Sequence, residues 1–115
     1  MNEQNEQQQI ASALADKRGE EILIMDLSDT SSIADTFVIV TANSDVHMKT
    51  LRNAIEDTMD NYDHDYLVEG QNSTQWCLID GGNIVVHIFS KKSRTFYNLE
   101  KIWGDTPTQR YEYEM

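Results

Sequence analysis

The stretch Trp76-Cys77-Leu78-Ile79-Asp80-Gly81-Gly82-Asn83-Ile84-Val85-Val86-His87-Ile88-Phe89-Ser90 decides the fold. Two runs rich in β-branched and aromatic residues flank a glycine pair, which is a hairpin pattern. With Gly81-Gly82 as a two-residue turn, Trp76 lies opposite His87, Leu78 opposite Val85 and Asp80 opposite Asn83. Side chains alternate across a strand, so Cys77, Ile79, Ile84, Val86 and Ile88 share one face. That face is wholly apolar and is assigned to the core. Trp76, Leu78, Asp80, Asn83, Val85, His87 and Phe89 share the other. Its mixture of aromatic, aliphatic and polar groups suits a partner surface, and tryptophan is over-represented among binding hot spots. The competing reading is a helix lying over this face with the polar groups at its rim. A slip of the turn changes the opposing pairs but not which residues of a strand share a face.

Outward from the hairpin, the pattern predicts a first helix running to about Lys17, with Ile10 and Leu14 one turn apart and Gly19 as its stop. Ile22–Leu27 and Phe37–Thr41 read as strands. A second helix is predicted from a Ser44 cap to about Tyr62, its stripe drawn by Met48, Leu51, Ile55, Met59 and Tyr62. A short extended piece falls at Tyr66–Val68. A last helix is predicted from about Arg94 to Trp103, capped by Ser93, with Phe96, Leu99 and Trp103 as its stripe and Gly104 and Pro107 ending it. The fold class is therefore α/β, a small mixed sheet with helices packed on it in the order α-β-β-α-β-β-α. Residues 1–105 form one domain, and residues 106–115 are expected to be an acidic, mobile tail.

The charge narrows the function. The chain has 115 residues and a net charge of −11. Residues 1–90 carry sixteen acids and four bases, whereas residues 91–115 carry four acids and five bases. Nucleic-acid binding and anionic membrane surfaces both call for clustered cations, so both are disfavoured. A partner drawn by this charge would be a basic protein, attracted to the first three quarters of the chain; the competing reading is that the acids serve only solubility. Cys77 is the only cysteine, which fits a reducing compartment. No apolar run is long enough to span a bilayer, and the polar start does not read as a secretory signal. A cytoplasmic location is expected.

Sites for chemistry are weak. Asp26, Asp35 and Asp80 could hold Mg²⁺ for nucleotidyl transfer, but the usual pair of acids two apart on one strand is missing. Glycine-rich phosphate loops are absent. Asp63-His64-Asp65 reads as a solvated loop, since a metal site needs three or four converging ligands. His47 is expected to be exposed, and Cys77 to be a small buried hydrophobe. No catalytic residue, cofactor or metal is assigned.

Several motifs in order resemble one family: Asp16-Lys17-Arg18-Gly19, Ser31 through Ile39, Asn43-Ser44, Glu69-Gly70, Trp76 through Asp80, Val85 through Ser90, and Arg94 with Phe96 through Gly104. Together they resemble the ribosomal silencing factors, also called Iojap-like proteins, over about Ile10–Asp105. The resemblance implies a nucleotidyltransferase-like core without catalytic acids and a regulator that is not an enzyme. It implies binding to the large ribosomal subunit through the basic ribosomal protein fourteen of that subunit. Subunit joining would then be blocked sterically and translation repressed in starvation or stationary phase, with little direct nucleic-acid contact. It also implies a homodimer in isolation. Carried over, the partner-binding residues are Trp76, Leu78 and Asp80, with Tyr97 and Lys101 from the last helix. The departures are Cys77 in place of an aliphatic residue, Gly81-Gly82 in place of an aromatic-glycine pair, and Asn98 in place of an acid. The alternatives are a Mg²⁺-dependent nucleotidyltransferase and a large-subunit assembly factor without silencing.

Overall fold

The computed structural model describes residues 3–26, 35–97 and 108–110. Three helices, α1 (Glu3–Asp16), α2 (Asp45–Asn61) and α3 (Lys91–Tyr97), accompany strands β1 (Glu20–Asp26), β2 (Thr36–Ala42), β3 (Leu67–Glu69), β4 (Trp76–Asp80), β5 (Ile84–Ser90) and β6 (Thr108–Arg110). They form one six-stranded sheet in the order β3-β4-β5-β2-β1-β6. The β2–β5 pair is parallel, and the other neighbours are antiparallel. The mixed α/β fold expected from the sequence is thus present. Two features differ from the pattern: the extended piece near Val68 is a true edge strand, and the segment read as a tail contains β6, paired with β1.

α1 and α2 cover one face of the sheet. Ile10 and Leu14 of α1 and Met48, Leu51, Ile55 and Met59 of α2 meet Ile22, Ile24, Val38 and Val40. The apolar hairpin face completes this core, with Cys77, Ile79, Ile84, Val86 and Ile88 all buried. Ser44 caps α2 as expected, its Oγ accepting from the His47 amide at 3.0 Å. His47 is half-buried rather than exposed. Its Nδ1 accepts from the Asn43 amide, and its Nε2 donates to the Lys17 carbonyl at 2.8 Å, tying the start of α2 to the end of α1.

The end of α1 corrects one expectation. The Gly19 amide donates to Leu14 O at 2.8 Å and the Arg18 amide to Ala15 O at 2.9 Å, a Schellman termination. The left-handed position in it is Arg18, with φ 64°, not Gly19. Gly19 is needed for space instead, because a Cβ there would lie 2.6 Å from Val40 Cγ2. α3 also starts earlier than predicted. The Ser93 amide donates to Ser90 Oγ at 3.1 Å, so Ser90 caps α3, while Ser93 sits in its first turn. The Leu99 and Trp103 positions of the predicted stripe lie outside the described residues, and the side chain of Phe96 is not described.

The turn between β4 and β5 is displaced by one residue from the predicted one. The Gly81 amide donates to Ile84 O at 2.9 Å, which leaves Gly82 and Asn83 as the turn, and Gly82 takes φ 86°. The cross-strand pairs are therefore Trp76 with Phe89, Leu78 with His87 and Asp80 with Val85, correcting the predicted pairs. Face membership is unchanged, as the alternation requires.

His64 braces this turn and is not a solvated loop residue. Its Nδ1 lies 2.6 Å from Glu6 Oε2, and its Nε2 lies 2.6 Å from Gly81 O. Both partners accept, so the geometry suits an imidazolium donating from both nitrogens. Burial opposes the charge, but the Gly81 carbonyl, the Glu6 carboxylate and nearby Asp65 outweigh it and raise the pKa above the usual histidine value. His64 thus links α1, the end of α2 and the hairpin turn. A Cβ on Gly81 would sit 2.8 Å from His64 Nε2.

Gly81→Ala should therefore cost on the order of 1–2 kcal/mol of stability, through the loss of this hydrogen bond. In a His64→Ala background the same substitution should cost measurably less, because the two residues share one interaction. Urea unfolding of the four proteins checks this, and strictly additive effects would show that the contact does not hold the turn.

Candidate functional site

The second sheet face is built by alternate residues of five strands. Register places Leu23, Ile39, His87 and Leu78 in one row across β1, β2, β5 and β4. A second row runs Met25, Phe37, Val85, Asp80 and Leu67, and a third joins Thr41, Phe89 and Trp76. Toward β1 and β2 this face is closed. Met25 and Ile39 are 0% exposed and Phe89 is 2%, forming a second apolar cluster against which Phe37 and Trp76 pack. α3 fastens to the same side, since buried Arg94 donates from Nη1 to Thr41 Oγ1 at 2.9 Å. A helix over part of this face and an open remainder are therefore both present.

The open remainder lies toward β3 and β4. Trp76, Leu78 and Asp80 are half-buried, and together they form the sequence-predicted group on one face. Leu67, opposite Asp80, is 73% exposed, and Glu69, opposite Leu78, is exposed as well. These two residues were not singled out from the sequence. The signal was a faint alternation in Tyr66-Leu67-Val68-Glu69, where Tyr66 and Val68 pack on the core and the other two face out. Tyr97 ends α3 but its side chain is not described, and Lys101 lies outside the described residues.

Local contacts position each member. A Cβ on Gly70 would meet the Trp76 ring at 2.7 Å, so the backbone after β3 lies directly against the indole. Ser73 Oγ accepts from the Trp76 amide at 3.2 Å, setting where β4 begins. Asp80 Oδ1 accepts from the Gly82 amide at 2.8 Å, fixing the carboxylate at the end of the strand.

Beside Leu78 on the neighbouring strand lies His87, 8% exposed, with neither ring nitrogen hydrogen-bonded. Its ring centroid is 4.8 Å from that of Phe37 and 5.9 Å from that of Phe89. Burial lowers its pKa to about 4, against a small opposite pull from Asp80. A neutral imidazole in this position serves as an aromatic filler between two phenyl rings.

The carboxylates weighed for metal chemistry do not gather. Asp26 and Asp35 are exposed at strand ends, and Asp80 is engaged with its own turn. Among the described residues no three His, Cys, Asp or Glu side chains are placed to hold a metal ion. Cys77 is buried, and burial raises its thiol pKa, as befits a packing residue. No described helix is long and apolar enough to cross a membrane.

A family model described as "Ribosomal silencing factor during starvation" matches residues 1–114. The chain belongs to the ribosomal silencing factor family. The ribosomal silencing factor RsfS of Bacillus subtilis (strain 168) is 39% identical over 100% of this chain and 98% of its own length. The same-named protein of Halalkalibacterium halodurans is 34% identical over 97% of each. A crystal structure of a Chromobacterium violaceum protein superposes with a TM-score of 0.86 at 28% identity, covering 100% of this chain and 94% of that one.

The two histidines give opposite pH dependences. His87 has a folded pKa near 4 against an ordinary value of 6.5, so its unfolded form binds the proton more readily between those limits. Its contribution to stability is complete above pH 6.5 and falls by on the order of 3 kcal/mol as pH drops through that window. His64 has a raised folded pKa, so its contribution is complete below its ordinary value and is lost as pH rises through the raised one. His87→Leu should flatten the acid side of a stability–pH profile and be neutral or stabilising near pH 7, since no hydrogen bond is lost. A profile whose acid side is unchanged in this variant would contradict the buried, uncharged state of His87.

Proposed function

We propose that the chain represses translation by docking on the large ribosomal subunit through ribosomal protein fourteen and sterically blocking the small subunit. Family membership supports the silencing role. The observation that carries the docking surface is the exposure gradient across the second sheet face. Its apolar groups are closed over toward β1 and β2 but left accessible at Trp76, Leu78 and Leu67, with Asp80 and Glu69 beside them. An aromatic and aliphatic centre flanked by carboxylates complements a basic protein surface bearing an apolar patch. Trp76 is the anchor, Leu78 and Leu67 extend the apolar contact, and Asp80 and Glu69 pair with Arg or Lys. Tyr97 and Lys101 join this surface in the same reading.

The net negative charge keeps the protein off bulk ribosomal RNA while it grips one protein on an RNA-rich particle. The activity is steric and takes place in the cytoplasm, and no reaction is catalysed. A homodimer formed through the same face would compete with the ribosome for it.

Trp76→Ala should weaken binding to purified large subunits by about 2 kcal/mol or more, roughly thirtyfold, in a sedimentation assay. Trp76 also packs against the second cluster, so Leu67→Ser supplies the cleaner arm. An exposed residue of this kind alters stability by no more than about 0.5 kcal/mol, yet Leu67→Ser should weaken binding by about 1 kcal/mol. Undiminished co-sedimentation of both variants would sink the surface assignment. The association rate should fall as salt rises, because the long-range attraction is screened. In a subunit-joining assay the protein should suppress formation of joined ribosomes; binding without suppression would point to an assembly role.

A further inference from the structure

A second feature lies on the helical side of the sheet, away from the docking face. A cleft of about 170 Å³ opens between α2 and the loop joining β3 to β4, with Cys77 among its lining residues. Asp45, Lys49 and Arg52 line it from α2, and Ser73 and Thr74 line it from the loop. Lys49 and Arg52 stand three residues apart, on one side of the helix. They are two of only four bases among residues 1–90, a stretch with sixteen acids. Half of the cations in the most acidic part of the chain thus border one small cleft.

Arg52 is held in place there. Its Nη1 donates to Gln71 O at 3.2 Å, anchoring the guanidinium to the loop. Its Nε is buried with no hydrogen-bond partner, so any charge-assisted contact to a ligand falls to the terminal guanidinium nitrogens. Ser73 Oγ already accepts from the Gln75 and Trp76 amides, which leaves its hydroxyl proton to donate. Two cations and a hydroxyl donor form a setting for an oxyanion. Asp45 adds selectivity, since a carboxylate at the same cleft tolerates an anion that carries its own proton and repels one that does not.

We propose that this cleft binds the phosphate group of a small molecule, held by Lys49 and Arg52 with Asp45 accepting from a phosphate hydroxyl. The cleft is well below the roughly 300–1,000 Å³ of sites for larger ligands, so the occupant is inorganic phosphate or a small phosphate ester, not a nucleotide. A nucleic-acid strand is disfavoured by the surrounding acids. The loop that would close on the anion runs directly into Trp76, so the bound group would order the approach to the docking strand.

Amide NMR of the isotope-labelled full chain at about pH 6, where a phosphate ester still carries its proton in part, tests this, titrating inorganic phosphate, glycerol phosphate and sulfate against sodium chloride of equal ionic strength. Saturable shifts are expected around residues 45–52 and 70–77 with inorganic phosphate, glycerol phosphate or both, and much weaker ones with sulfate. Binding of the ester alone identifies an esterified ligand, and binding of both identifies the phosphate group itself. Arg52→Gln should weaken binding at least about tenfold, the loss of a charge-assisted contact. Lys49→Ala, at an exposed position that leaves the fold intact, should weaken it severalfold. Shifts matched by sodium chloride, equal binding of sulfate, or affinities unchanged in both variants would overturn the proposal. Ribosome binding plays no part in this readout, so its outcome is independent of the docking surface.

Discussion

β2 and β5 lie side by side in parallel at the centre of the sheet and are buried on both faces. Parallel neighbours cannot be joined by a tight turn, so the chain between them must travel. It does so through α2 and the β3–β4 ribbon, and this excursion supplies both the lid of the main core and the strand that carries the candidate surface. Two buried faces also demand two coverings. The helices α1 and α2 provide the first. The second covering is partial: the cluster of Met25, Ile39 and Phe89 is enclosed, and the sheet beyond it is left open at β4 and β3. The proposed docking surface is the portion of a core-like face left open among the described residues.

Much of this was legible in the residues. Strands β2, β4 and β5, helix α2 with its Ser44 cap, and the division of the hairpin into an apolar and a mixed face all follow from periodicity and capping chemistry. What escaped depends on contacts distant in sequence. The turn lies one residue later than the pattern suggests, and His64, seventeen residues away, contacts its Gly81 carbonyl. Gly19 ends the first helix as expected, but Arg18 holds the left-handed position there, and Gly19 leaves space for Val40. β6 is too short to announce itself, and pairing with β1 defines it. Leu67 and Glu69 became part of the surface only through the register of β3 against β4.

The candidate site shares groups with the scaffold. Asp80 holds the Gly82 amide while standing at the rim of the surface, and Trp76 packs on Phe89 and against Gly70 while remaining half-open. Such double use holds the candidate contact residues in place through local contacts, which would lower the ordering cost of binding. His64 adds a remote tie. Through Glu6 and Gly81 it joins the first helix to the turn that presents Asp80.

β4 gives its odd-numbered residues, Cys77 and Ile79, to the core and its even-numbered ones, Trp76, Leu78 and Asp80, to the surface. Insertion or deletion of a single residue within it would exchange the two sets, burying a carboxylate and an indole while exposing the thiol and the isoleucine. The strand therefore has a fixed reading frame of its own. Substitution can alter one face at a time, but the length of the strand is locked by the packing of its core face.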